Sequence, residues 1–374
     1  MIADKDLPEN YHKGRGAQFN PHNRFAKNDY VKQHDEGIDD WEDHPQKTSF
    51  ILGKSKSIVN KVDSPDVGMA YSLNPYQGCE HGCTYCYARN AHEYWGFSAG
   101  LDFERKIIVK TDAPELFRKF LERKSWDAST ISLSGNTDCY QPAERKFKIT
   151  RQLLEIALEY KQPIEMITKN ALILRDADLL QELAKLNLCT VYVSINSLNE
   201  SLRSKMEPRT TTAKQRLKIV EELSKNGIPM GVMAAPLIPG LSDHEIPAIL
   251  KAIASAGAKS AGYTVVRLNG AIGGIFKDWL RKNFPDRFEK VWHLIQSCHR
   301  GNVNDSRFSD RMRGDGNIAQ IISDNFKLHC RLNHLNEKRV MLDSSLFAYL
   351  KSNLAYFKRL NPIRKGNCHT PYKP

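Results

Sequence analysis

The chain has no apolar run long enough to cross a bilayer, where about 20 residues are needed, so a spanning helix is excluded. Its first residues, MIADKDLPEN, lack the basic-then-apolar order of a secretory signal, which gives the expectation of a cytoplasmic protein. Eight cysteines in a cytosolic chain of 374 residues argue against a disulfide framework and turn attention to metal or redox chemistry wherever they cluster. No internal repeat is evident. Acids are missing from 351–374, which carries six Lys/Arg.

What is present is basic. The net charge is +12, made of −4 over residues 1–45 and +16 over the rest. Such an excess suits a polyanionic partner, because cations that neutralise phosphates release condensed counterions. A basic enzyme with a solvated tail carries the same charge. Apolar residues make up 41% of the chain, enough for one large domain with appendages.

The order of elements is α/β. Strand-like runs stand at 71–75, 106–110, 130–134, 164–168, 190–195, 231–236 and 262–266. Helical periodicity fills the intervals in PELFRKFLERK, ITRQLLEIALEY, DADLLQELAKL, AKQRLKIVEELSKNG and HEIPAILKAIASAG. Asn226-Gly227 and Ala256-Gly257 stand where left-handed helix ends belong. Alternation of this kind builds right-handed βαβ units on a parallel sheet. The 195 residues from Ser72 to Val266 fall short of the ~250 of a closed eightfold barrel, so the expectation is a partial, open parallel βα barrel of about six units. A polar N-terminal arm (1–55), disordered or wrapped over the core, would precede the barrel core (56–270). A mainly helical C-terminal subdomain with a basic tail (271–374) would follow.

The segment NPYQGCEHGCTYCYAR (74–89) places Cys79, Cys83 and Cys86 after the first barrel strand, on the rim where parallel α/β folds keep their chemistry. Three readings fit these residues. One is a Cys₃His zinc site with His81, one a Cys83–Cys86 redox pair, and one an iron–sulfur cluster with an iron left open.

The spacing C-x₃-C-x-aromatic-C, with Tyr85 as the aromatic, resembles the signature of the radical S-adenosylmethionine (SAM) enzymes. Together with TDCYQPAERKFKITR, SINSLNESLRSKMEPRTTT and GVMAAPLIPGLSDHEI, it resembles the spore-photoproduct-lyase-like branch over about residues 55–270. SRFSDRMRG (306–314) looks like an uncharacterised subfamily within that branch. The resemblance implies that Cys79, Cys83 and Cys86 hold a [4Fe–4S] cluster whose fourth iron binds SAM. Reduction by a donor such as flavodoxin or ferredoxin would give a 5′-deoxyadenosyl radical that takes hydrogen from a substrate.

It also implies roles on the rim. Gly135, Asn136, Thr137 and Asp138 would receive the methionyl amino group, where the local sequence by itself reads as an ordinary Asx-type turn. Lys169 would pair with the SAM carboxylate. Ser194 and Asn196 would meet ribose or carboxylate oxygens, and the backbone at Ala235 would flank adenine. Tyr85 and Tyr87 would act near adenine or in radical return, with plain packing as the other reading. The lyases carry a hydrogen-donating cysteine where this chain has Gly135. Cys139, four residues on, is a catalytic candidate or a buried thiol, and spore-photoproduct repair itself is not expected.

Elsewhere, Glu207 and Arg209 suggest an ion pair. Cys189, Cys298, Cys330 and Cys368 lack C-x-x-C spacing, Cys368-His369 being the most suggestive pair. Arg307, Arg311, Arg313, Arg331, Lys338 and Arg339 make the C-terminal part basic. Trp279, Phe284, Phe288 and Trp292 suit base stacking or a helical core. The expected substrate is a nucleic acid. Radical modification of a protein or small metabolite, and a non-catalytic metal-binding module, are the alternatives.

Overall fold

Six parallel strands carry the architecture of the computed structural model, which describes residues 12–26, 47–308, 310–338 and 340–347. They are β3 (Tyr71–Leu73), β6 (Ile131–Leu133), β7 (Ile164–Thr168), β8 (Cys189–Ser194), β9 (Met230–Leu237) and β10 (Ser260–Val265), which lie side by side in chain order. Strand β2 (Val59–Lys61) adds antiparallel to β3 as one edge, and β10 is the other, so the barrel is open. No helix among the described residues is long and apolar enough to cross a membrane.

The period-two pattern decides which way each side chain points. In β7, Ile164 and Met166 join the core beneath the outer helices and Thr168 is buried at the strand end, while Glu165 and Ile167 alternate onto the concave side. In β8, Val191 and Val193 go outward and Tyr192 inward. Helices cover the convex face at Ala113–Leu121, Ile149–Tyr160, Ala177–Lys185, Ala213–Lys225 and Ile246–Ser255. Their apolar stripes, among them Phe117, Leu154, Leu183, Ile219 and Ile253, make one continuous core with the outward strand residues. Each such side chain contributes roughly 1.5–3 kcal/mol on burial. Thr212 and Asn199 cap their helices by accepting from the N–H of Gln215 and Leu202. Gly227 and Gly257 take the expected left-handed conformation.

Two sequence expectations change here. The run KIIVK forms strand β5 (Lys106–Lys110), but not in the barrel sheet: it pairs in parallel with β1 (Ser49–Gly53) and antiparallel with β4 (Tyr76–Gln77). An apolar run shows that a strand is buried, not which sheet receives it. Residues 49–53, read as arm, are therefore part of the folded core, and residues 12–26 wrap back onto it, with Ala17 fully buried.

Beyond β10 the chain is mainly helical, with helices at Ile272–Asn283, Phe288–Ser297 and Gly316–Leu332. Residues 336–338 and 340–343 then lie beneath the barrel. The Asn336 amide exchanges two 2.9 Å hydrogen bonds with the Ala261 backbone of β10, and Asn187 donates to the Met341 carbonyl.

Candidate functional site

The cysteine loop leaves β4 and runs into a short 3₁₀ helix, Tyr87–Trp95. Cys79 N–H donates to the Phe103 carbonyl at 2.8 Å and Thr84 N–H to the Met206 carbonyl at 3.0 Å. Gly82, at φ +69, lies where a Cβ would stand 2.9 Å from the Glu104 carboxylate. Arg89, with no exposed surface, donates to the Cys83, Ala99 and Gly100 carbonyls and pairs with the buried Glu104. Glu104 in turn accepts from the N–H groups of Gly16 and Ala17. Nothing local marks Arg89 or Glu104 in the sequence, because their roles come from partners distant along the chain.

Cys79 and Cys83 are buried and Cys86 half-buried, and none forms a disulfide. Burial pushes all three thiols up, with Asp138 adding to this at Cys79 and Glu207 at Cys83. Arg89 pulls Cys86 back, and Lys169 acts the same way on Cys83 and Cys86. Among the described residues no three His, Cys, Asp or Glu groups are placed to hold a single metal ion. His81 is not a fourth ligand, which disfavours the Cys₃His reading: its Nδ1 faces Asp138 at 3.4 Å and its Nε2 meets the Asn170 amide at 3.2 Å. Burial holds its imidazole down at about 4, against the opposing pull of Asp138.

The remaining candidates occupy successive strand ends on the same rim. Lys169 follows β7, Ser194 ends β8 with Asn196 just beyond, and Ala235 lies near the end of β9. No group among the described residues accepts a hydrogen bond from the Lys169 ammonium. Its burial alone would lower it, but the charges of Cys83 and Glu207 more than offset this and leave it above the ordinary lysine value. Asn196 donates to the Tyr85 hydroxyl, and its own Oδ1 is buried without a partner.

The Gly135–Asp138 turn is more occupied than its sequence suggests. Asp138 accepts from the Thr168 hydroxyl and from the N–H groups of Lys169 and Tyr140, so it holds the end of β7. Thr137 donates to the Tyr76 carbonyl, and Asn136 is held by Asn74 and Gln77. The Gly135 carbonyl accepts from the Tyr87 hydroxyl at 2.8 Å. Cys139 is a buried thiol of the main core, its N–H on Ser134 and its carbonyl on Thr150.

Glu207 pairs with Arg216, not Arg209. Both are almost wholly buried, and Glu207 also accepts from the Tyr85 hydroxyl. Burial alone would raise the Glu207 carboxyl, but Arg216 and Lys169 hold it below the usual range. Arg216 lies on the helix after the Glu207 loop, one more polar residue in AKQRLKIVEELSK, and was missed from sequence. Arg209 instead stands 3.9 Å from Glu80.

The C-terminal arginines are partly neutralised at home. Arg307 pairs with Asp305 and Asp310, and Arg311 with Asp66. Trp279 and Phe288 are core residues, with Phe284 and Trp292 packed against them. Cys189, Cys298 and Cys330 are separate buried thiols, pushed up by burial to about 12, 11 and 11. Arg339, Cys368, His369 and the basic 351–374 stretch lie outside the described residues.

The family model described as "Radical SAM superfamily" matches residues 73–253. An uncharacterised protein of Mycobacterium tuberculosis is 34% identical over 244 residues, 64% of this chain and 72% of that one. Another, of Methanocaldococcus jannaschii, is 29% identical over 66% of this chain and 87% of that one. In fold the chain is similar to spore photoproduct lyase complexed with dinucleoside spore photoproduct, with a TM-score of 0.56 at 14% identity over 76% of this chain and 79% of that chain.

Proposed function

The chain belongs to the radical SAM superfamily, whose enzymes work with a [4Fe–4S] cluster and SAM, and we propose that Cys79, Cys83 and Cys86 ligate that cluster here and that the substrate is a nucleic acid. When bound, the cluster and SAM supply reductive cleavage to a carbon radical able to abstract hydrogen. The observation that carries the reading is the donor set. Three free thiols on one loop, with no fourth cysteine on that loop, suit a cluster that keeps one iron for SAM.

The chain's own residues then bind, orient and exclude water. Lys169 brings a cation with unused donors to the side of Cys83 and Cys86, suited to the SAM carboxylate. Asn196 offers a buried unpaired oxygen, suited to an N–H or O–H of the same ligand. Asp138 positions Lys169 through its backbone N–H, and Glu207 with Arg216 fixes Tyr85 between Cys83 and Cys86. Arg89 and the 12–26 segment shut water from the loop's far side.

A nucleic-acid substrate is supported by the +16 charge outside the first 45 residues and by the similar fold having been solved with a dinucleoside. The test begins with anaerobic reconstitution using iron and sulfide, then dithionite and SAM, reading 5′-deoxyadenosine. An intact cluster with no 5′-deoxyadenosine, even with nucleic acid present, would refute the reaction. Binding of single strands should fall linearly in log affinity against log salt, and no binding at low salt would refute the substrate class.

A further inference from the structure

The concave side of the half-barrel encloses a cavity of about 830 Å³, below the rim and apart from the cysteine loop. In a closed barrel this space is filled by layers of side chains. Here Gly231 and Gly262 give their space to the side chains of Tyr192 and Met233, the small Ser132 stands on β6, and residues 336–338 and 340–342 run across the base. Gly135 lines the cavity, and its carbonyl takes the hydrogen bond of Tyr87, the residue after Cys86.

One carboxylate, Glu165, and one lysine, Lys338, line this space, and no salt bridge joins the two. Glu165 accepts from the Ser132 hydroxyl, and no Lys or Arg pairs with it among the described residues. It shares the inward face of its strand with Ile167 and Lys169. At about 3.3 Å per residue it stands about 13 Å below Lys169, near the length of a nucleoside. Beside it, Tyr192 is paired with Ile167 across the sheet, and its ring packs over the next strand: a Cβ on Gly231 would come within 2.4 Å of it. The cavity thus sets an aromatic ring beside a carboxylate that has no cationic partner among the described residues and can take two parallel N–H bonds. A flat ring with two adjacent N–H donors on one edge is matched, and among the common bases guanine has that edge.

We propose that Glu165 selects a guanine-type base, drawn into this cavity with its sugar–phosphate chain left at the rim. This rests on the nucleic-acid reading above and deepens it. Guanine's N1–H and amino group donate to the carboxylate, and Ser132 holds the carboxylate's orientation. Thymine and uracil present one N–H between two carbonyls, which the carboxylate repels.

The experiment uses the cluster-loaded full chain and fluorescence anisotropy with short single strands of thymidine carrying one central guanine, adenine, cytosine or thymidine. The guanine strand should bind about tenfold or more tightly than the all-thymidine strand, the range one bidentate base contact supplies. Glu165→Gln should remove that preference while leaving the all-thymidine affinity in place. Glu165→Asp, which keeps both acceptors, should retain its direction, and iron content with the visible spectrum checks that each variant is folded and loaded. Equal affinity for all four strands, or a preference that survives Glu165→Gln, overturns the assignment while the nucleic-acid reading stands. A uniform loss across all strands assigns Glu165 to structure and overturns it too. Binding of none of the strands overturns both readings. Capture instead of an arginine-containing peptide, whose guanidinium presents the same paired donors, overturns both in favour of a protein substrate.

Discussion

The Tyr85 hydroxyl donates to the Glu207 carboxylate from 122 residues away, joining the middle of the cysteine loop to a buried ion pair with Arg216. Breaking such a pair leaves an uncompensated charge in the interior, at a cost of about 3–5 kcal/mol. Arg216→Met should therefore lower the denaturation midpoint sharply and reduce iron retained after desalting. An unchanged midpoint would show that the pair stabilises nothing.

The cysteines divide by position. Alanine at Cys79, Cys83 or Cys86 should abolish both iron loading and 5′-deoxyadenosine. Cys139→Ala should keep both and lose only about 1 kcal/mol, as expected for a small buried side chain in a packed core. Loss of substrate turnover in Cys139→Ala, with the cluster and SAM cleavage intact, would return that thiol to the catalytic residues.

Lys169→Met should leave the iron content unchanged and weaken SAM binding by about 10- to 100-fold, the worth of a charge-assisted hydrogen bond. Equilibrium dialysis with the loaded protein measures it. A wild-type dissociation constant in the variant would mean that the carboxylate sits elsewhere.

His92 packs between Phe97 and Phe103, and burial holds its imidazole down at about 4, against an opposing pull from Asp102. The native state therefore disfavours the proton that the unfolded chain takes up near 6.5. Its share of stability is complete above about pH 7 and is lost as pH falls from there towards 4. Denaturant midpoints of His92→Phe should decline less steeply across that window than those of the wild type. Parallel curves would show that His92 is not the group responsible.

Gly16 lies so close to the cysteine loop that a Cβ would come within 1.7 Å of the Gly82 carbonyl. Gly16→Ala must displace the 12–26 segment from the loop. The prediction is faster bleaching of the cluster in air, with unaltered SAM cleavage under anaerobic conditions. Equal bleaching rates would mean that the segment shields nothing.

The sequence made the strands and their helices legible because periods of 2 and 3.6 are local, and it made the cysteine loop legible because its three thiols are close neighbours in the chain. Lys169, Ser194, Asn196 and Ala235, named through the family resemblance, lie at or near the ends of three neighbouring strands. What stayed hidden was partnership across distance. Arg216 reads as an ordinary polar helix residue until Glu207 turns to meet it, and KIIVK gives no sign of preferring Ser49–Gly53 over the barrel. Glu165 lies inside a strand that was correctly located, yet alternation alone does not tell a helix-covered face from one enclosing an empty space.

The last strand of an open barrel is a hazard, since its unpaired peptide groups invite another molecule's strand. Asn336 removes much of that invitation: its side-chain amide meets the N–H and carbonyl of Ala261 as a neighbouring strand would, while its own N–H takes the Lys259 carbonyl. One amide side chain thus lets the sheet stop at six parallel strands without closing. The molecule can keep its interior open to a guest without offering that edge as a template for aggregation.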